Sequence, residues 1–180
     1  MQLRFRLGFD LHIAIICALF GTALFLIILS PFLVPAGQLD DLSGSVLTVD
    51  NLDKIDGINP VAWLVYWMGD INCHQLKERS YFLNDNQMPF CARDVGIFAG
   101  AVIGFVIALF IVIPMRWQWL LILVIPLVVD AALQELTAYE STNEIRFITG
   151  IIAAAAGAIF ISNLIAVPKK EIVSEPTDDA

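Results

Sequence analysis

The sequence predicts an all-α integral membrane protein: a four-helix transmembrane bundle with a short interfacial helix and an outer loop. Three observations carry this expectation. Hydrophobic residues make up 58% of the chain and charged residues only 16%, where a soluble domain carries about a quarter charged. Mean hydropathy is +0.78, and the apolar residues fall in blocks long enough to cross a hydrocarbon layer of ~30 Å. Finally, two of the three cysteines, one of the two histidines, two arginines and several carboxylates crowd into Cys73–Gly96, where one of these blocks begins.

The first block opens with Arg4 and Arg6 and runs apolar over about 11–35. A secretory signal has an apolar region of only ~7–15 residues, so this block is expected to be a retained first span. Within it, Cys17 reads as a small packed hydrophobe and His12 as an interfacial residue. An outer loop is expected over 37–91. Its first part, 37–60, is rich in Gly, Asp, Asn and Pro and holds no apolar period. The run at about 60–72, PVAWLVYWMGDIN, is too short to span and rich in Trp and Tyr, as suits an interfacial helix.

The second span is expected at about 92–113. Gly96, Gly100 and Gly104 recur every four residues there, giving one smooth face for close helix approach. The turn at 114–118 carries Arg116, and a third span follows at about 117–138 with Asp130 and Gln134 on one face. The fourth is expected at about 147–167. Its Gly150, Ala154, Ala158 and Ser162 offer a small-residue partner for the glycine face. One transmembrane domain, 1–168, is therefore expected, with residues 169–180 a disordered acidic cytoplasmic tail.

Net charge is −8, with the acids gathered in 40–56 and 171–179. That pattern offers no basic patch for nucleic acid and makes the lipid bilayer the expected partner. Lysines and arginines divide evenly between the two sides of the four spans. Arg4, Arg6, Lys169 and Lys170 flank span ends directly, which places both termini in the cytoplasm and the protein in the plasma (inner) membrane.

This topology brings the polar residues together. Cys73 to Asp94 lie at the outer end of the second span, and Arg146 caps the outer end of the fourth. Asp130 sits about eight residues from the outer end of the third, ~12 Å deep at 1.5 Å per residue. A carboxylate at that depth needs a partner or a watery cavity. A structural ion pair with Arg93 or Arg146 meets that need, but the excess of polar groups points to a site.

These residues carry a resemblance. The segments CHQLKERSYF, PFCARDVGIFAG, DAALQ and RFITGIIAAAAG, from Cys73 to about Gly157, resemble the membrane proteins of domain-of-unknown-function family 2085. That family's pattern reads CHQ-x-x-ERS-F, P-x-CARC-x-G, D-G-x-x-Q and R-x-x-TG. The resemblance implies a shared polar set of Cys73, His74, Gln75, Glu78, Arg79, Ser80, Cys91, Arg93, Asp130, Gln134 and Arg146. Two positions depart: Asp94 stands where the family has its second CARC cysteine, and Ala131 follows the membrane aspartate in place of glycine.

Several chemistries are open to this set. Cys73, His74, Cys91 and Asp94 offer S, N, S and O ligands of the kind zinc accepts, although adjacent Cys and His need a sharp turn to bind together. A Cys73–Cys91 disulfide is the structural alternative, worth roughly 3 kcal/mol in the chain-entropy model. The loss of a cysteine at Asp94 tilts this chain towards the bridge. A thiol redox role would use His74 or Arg79 to activate a cysteine. An enzyme or transporter for an anionic or lipid-linked substrate would hold a phosphate with Arg79, Arg93 and Arg146. Its acid and base candidates would be Asp130 and Glu78, with Gln134 beside them. A passive packing module uses none of these.

Overall fold

The computed structural model describes residues 4–5 and 10–165. The expectations for Arg6, for Lys169 and Lys170 and for the tail 169–180 concern positions outside the described residues. Six helices follow in order: α1 (Leu11–Leu29), α2 (Leu52–Ile55), α3 (Pro60–Asn72), α4 (Ala92–Phe110), α5 (Trp117–Leu136) and α6 (Asn143–Ile165). α1 with its 3-10 extension to Leu33, α4, α5 and α6 are long and apolar enough to cross a membrane.

Local chemistry sets the helix ends. Asp10 accepts hydrogen bonds from the backbone N–H groups of His12 and Ile13 and so caps α1. α1 gives way at Ser30–Pro31 to the 3-10 turn Ser30–Leu33, rather than running on to residue 35. α4 stops at Phe110 because the β-branched run Ile111–Ile113 and then Pro114 favour extended backbone. There, β4 (Ile111–Val112) pairs antiparallel with β1 (Arg4–Phe5), placing that part of the N-terminal segment at the end of α4 away from Cys91. α6 starts at Asn143, four residues before the expected boundary. Thr142 explains this: its carbonyl accepts from Arg146 N at 3.1 Å and its hydroxyl from Ile145 N at 3.4 Å.

α4 and α6 form the central pair, with α1 packed on α4 and α5 on α6. The expected glycine face is the contact. A Cβ on Gly104 would lie 2.5 Å from the Ala155 carbonyl oxygen and 2.7 Å from the Ala158 Cβ. One on Gly100 would lie 2.7 Å from the Ile151 Cα, and one on Gly150 only 2.6 Å from the Arg93 carbonyl oxygen. The glycines of α4 therefore meet the backbone of Phe147, Ile151 and Ala155, with Gly150 and Ala158 clearing the flanks. Ala154 faces instead the cluster built by Ile13, Ala101 and Phe105. Phe20 of α1 stacks obliquely on Phe98 and Phe105, with ring centroids 6.0 and 5.7 Å apart.

Residues 34–66 fold more fully than their turn-rich composition suggests. Leu39, Leu42 and Ile55 bury themselves with Val34, Ala62 and Tyr66 in a second small core. Buried polar side chains knit it together. Asp70 accepts from the backbone of Asp50 and Asn51 at 2.9 and 3.0 Å and from Asn51 Nδ2 at 2.6 Å. Asn86 bridges to Pro31, Pro35 and Leu39, and Gln87 pairs with both backbone groups of Leu42. Asn86 and Gln87 sit on a small hairpin, β2 (Phe82–Leu83) and β3 (Asn86–Gln87). Its turn residues Asn84 and Asp85 take φ of 53° and 57°, which Asn and Asp tolerate best after glycine.

Candidate functional site

The thiols owe their positions to two helix ends. Cys73 closes α3, its N–H bonded to the Gly69 carbonyl at 2.8 Å, and Cys91 is the N-cap residue of α4. Between them the chain reverses at Gln75, whose φ of 47° is left-handed. The Gln75 side chain locks this reversal: Nε2 donates to the Pro89 carbonyl at 2.8 Å and Oε1 accepts from Asn51 Nδ2 at 3.0 Å. Gln75 thus couples the Asn51–Asp70 network to the cysteine loop.

Cys73 Sγ accepts the N–H of Cys91 at 3.3 Å, and Cys91 Sγ donates to Asp94 Oδ2 at 3.2 Å. One ligating atom from each of Cys73, Cys91 and Asp94 lies within 4.8 Å of the others. All three cysteines are free thiols. The Cys73 thiol is pushed well above the ordinary range, first by its hydrogen bond with Cys91, then by burial and by the charges of Cys91 and Asp94. A backbone hydrogen bond at Gln75 pulls the other way. Two sulfurs and a carboxylate oxygen this close together are a donor set that one divalent cation can bridge.

His74 does not join them. The turn sends its exposed ring to the loop before α2, where Nδ1 lies 3.3 Å from the Gly44 carbonyl and the Gly44 N–H bonds back to the His74 carbonyl at 2.9 Å. The cluster therefore comprises two sulfurs and a carboxylate, with His74 nearby on the wall of a shared cavity.

That cavity, of about 160 Å³, is lined by Cys73, His74, Cys91, Arg79, Arg93 and Arg146, with Glu135 among its remaining lining residues. Arg93 Nη2 donates to Asp130 Oδ2 at 2.7 Å and to Gln134 Oε1 at 3.1 Å. Asp130 and Gln134 are the buried residues of α5. Arg79, on the 3-10 turn Lys77–Arg79, lies 3.6 Å from Glu135 and 3.8 Å from Glu140, two exposed carboxylates. Arg146 is buried in the first turns of α6, bonded through Nη1 to the Glu78 carbonyl at 3.3 Å and to Asn143 Oδ1 at 3.0 Å. Glu78 contributes that carbonyl, while the residue as a whole is exposed. The expected convergence at one end of the spans is thus present in the geometry, with His74 and the Glu78 carboxylate at its margin.

A family model described as a predicted membrane protein of unknown function matches residues 73–160. An uncharacterized protein of Methanocaldococcus jannaschii is 39% identical over 103 residues, spanning 54% of this chain and 65% of that relative's length. An uncharacterized protein of Methanothermobacter thermautotrophicus is 34% identical over 92 residues, 48% of this chain and 81% of the relative. The chain belongs to domain-of-unknown-function family 2085. No solved structure matches it. The segment matched to family 2085 holds both pocket cysteines, the three arginines, Asp130 and Gln134. Asn51 and Asp70, which brace the loop, lie before it and are not distinguished by any sequence motif. Their signal in the sequence is only a polar residue beside apolar ones, which does not separate a brace from a solvated turn.

Proposed function

We propose that this family 2085 protein is a membrane metalloprotein that holds a zinc-type divalent cation between Cys73, Cys91 and Asp94, at the outer face of the plasma membrane. The observation that carries the reading is the approach of two sulfurs and one carboxylate oxygen to within 4.8 Å. A divalent cation is the simplest compensation for such a cluster, because thiolate and carboxylate are both zinc ligands. Three protein ligands leave a coordination position free, the arrangement of zinc sites that bind or activate a small molecule. Both cysteines line the cavity, so that position would be supplied with water or ligand from there. The outward orientation is supported by Arg4 and Arg6, and by the β1–β4 pairing that sets Arg4–Phe5 at the opposite end of α4 from the pocket.

A Cys73–Cys91 disulfide is the second reading, favoured by the same proximity and by the outward side. It gives Asp94 no role, whereas Cys91 donates directly to that carboxylate. Metal analysis combined with thiol counting separates them. The metal reading expects about one zinc per chain, two thiols released by chelator, and lower occupancy in Asp94→Ala. Two thiols released by reductant alone, with no metal, would establish the bridge instead. Reversible cycling of such a bridge, with bound metal lacking, would favour the thiol redox role.

A further inference from the structure

Arg146 is 1% exposed, yet its Nε and Nη2 have no hydrogen-bond partner and its guanidinium makes no ion pair among the described residues. It is also a wall of the cavity. An arginine cannot shed its proton to escape burial, and a buried charge without a counter-ion costs several kcal/mol. The two arginines beside it do not relieve it. Arg93 is already neutralised by Asp130, and Arg79 faces two carboxylates at 3.6 and 3.8 Å that stand largely in water. Each also leaves a buried Nε without an acceptor.

We propose that this cavity binds a phosphate-type oxyanion, with Arg146 as the buried anchor and Arg79 and Arg93 as flanking donors. The unused N–H groups of Arg146, Nε and Nη2, form one edge of the guanidinium fork, the edge that meets two oxygens of a phosphate side by side. Two further Nε–H donors suit a tetrahedral group with more oxygens than a carboxylate supplies. About 160 Å³ accommodates a phosphate group with some water. Glu135 is the one carboxylate lining the cavity and is 68% exposed on a side chain that reaches Arg79. It is an occupant that an incoming anion displaces into solvent. The first turns of α4 and α6 and the last turns of α5 form this end of three spans, so the cavity lies at headgroup level. A phosphate there can belong to a lipid headgroup or to a soluble phosphate compound.

This site is independent of the metal cluster, although both open on one cavity. Its test is therefore run on detergent-purified full-length protein, once with metal retained and once after chelation. Two probes are titrated: inorganic phosphate, and a short-chain phosphatidic acid in neutral-detergent micelles, with short-chain phosphatidylcholine as the control. Saturable one-to-one binding is expected for at least one probe. Arg146→Gln should weaken it about ten- to hundredfold, the scale of a lost charge-assisted hydrogen-bond pair. Arg79→Gln should weaken it less. Glu135→Gln should tighten it, which a purely structural arginine cluster would not produce. If Arg146→Gln fails to fold, the opposite shifts in the Arg79 and Glu135 variants carry the test. Binding of phosphatidic acid alone assigns the lipid source, and binding of inorganic phosphate assigns the soluble one. Saturation by neither probe, or binding indifferent to all three variants, overturns the proposal. Phosphate binding by protein that purifies without metal and takes up none when zinc is added overturns the metal reading alone, and metal binding with no phosphate response in either arm overturns this one alone.

Discussion

Arg93 Nη2 donates to Asp130 Oδ2 at 2.7 Å, tying the first turn of α4 to the penultimate turn of α5. α5 otherwise packs on α6 and buries little of its own surface: Asp130 and Gln134 are its buried residues. The ion pair is therefore a main anchor of α5 near the pocket. Asp130→Ala should destabilise the protein by about 3 kcal/mol, since it strands a mostly buried guanidinium. Arg93→Ala combined with Asp130→Ala should cost less than the sum of the two. Thermal denaturation in detergent checks this, and strict additivity would mean that the two side chains do not interact.

Gly100→Leu should disrupt the α4–α6 pair, because even a Cβ there meets the Ile151 backbone at 2.7 Å. Overpacking of this kind costs about 1–3 kcal/mol or more, and backbone cannot move aside as a side chain can. Gly21→Ala serves as the comparison, since a Cβ at Gly21 meets nothing within 4 Å. Equal melting of the two variants would show that the glycine face is not a helix contact.

Asp70→Ala should loosen the small core of residues 34–66. It leaves the buried N–H of Asn51, and the N–H of exposed Asp50, without their acceptor, at roughly 1–3 kcal/mol for the buried group. Through Asn51 and Gln75 the effect should reach Cys73, raising its alkylation rate in metal-free protein. An unchanged rate with lowered stability would confine the role of Asp70 to the small core of residues 34–66.

In metal-free, reduced protein the raised Cys73 thiol makes stability pH-dependent. The folded chain keeps this proton while the unfolded chain loses it near the ordinary value of 9.0. The contribution is thus fully present below that pH and declines as pH rises through it. Cys73→Ser should flatten this alkaline decline relative to the parent. Parallel curves for the two proteins would show that the thiol does not titrate differently on folding.

Much of this was legible in the sequence because its signals are repetitive or extreme. Four long apolar runs fix the spans, and a four-residue glycine period reveals the α4–α6 contact. Polar residues at the ends of three runs announce the pocket and an arginine partner for Asp130, while the choice of Arg93 over Arg146 is visible only in the geometry. The direction of His74 was not legible, since it depends on a left-handed turn at Gln75, a residue with no glycine-like preference for one. Nor was the burial of Leu39, Leu42 and Ile55, because isolated apolar residues in a turn-rich stretch carry no period. The lone charge of Arg146 emerges only when its acceptors are counted in three dimensions.

X-ray absorption at the zinc edge of the purified protein reads the ligands of the Cys73–Cys91–Asp94 centre themselves. A zinc ion there should show two sulfur scatterers at about 2.3 Å and lighter oxygen or nitrogen ligands at about 2.0–2.2 Å, with one sulfur lost in Cys91→Ser and a third gained in Asp94→Cys. Zinc surrounded only by oxygen and nitrogen, or pure protein with free thiols and no metal, would rule out a metal centre at these residues.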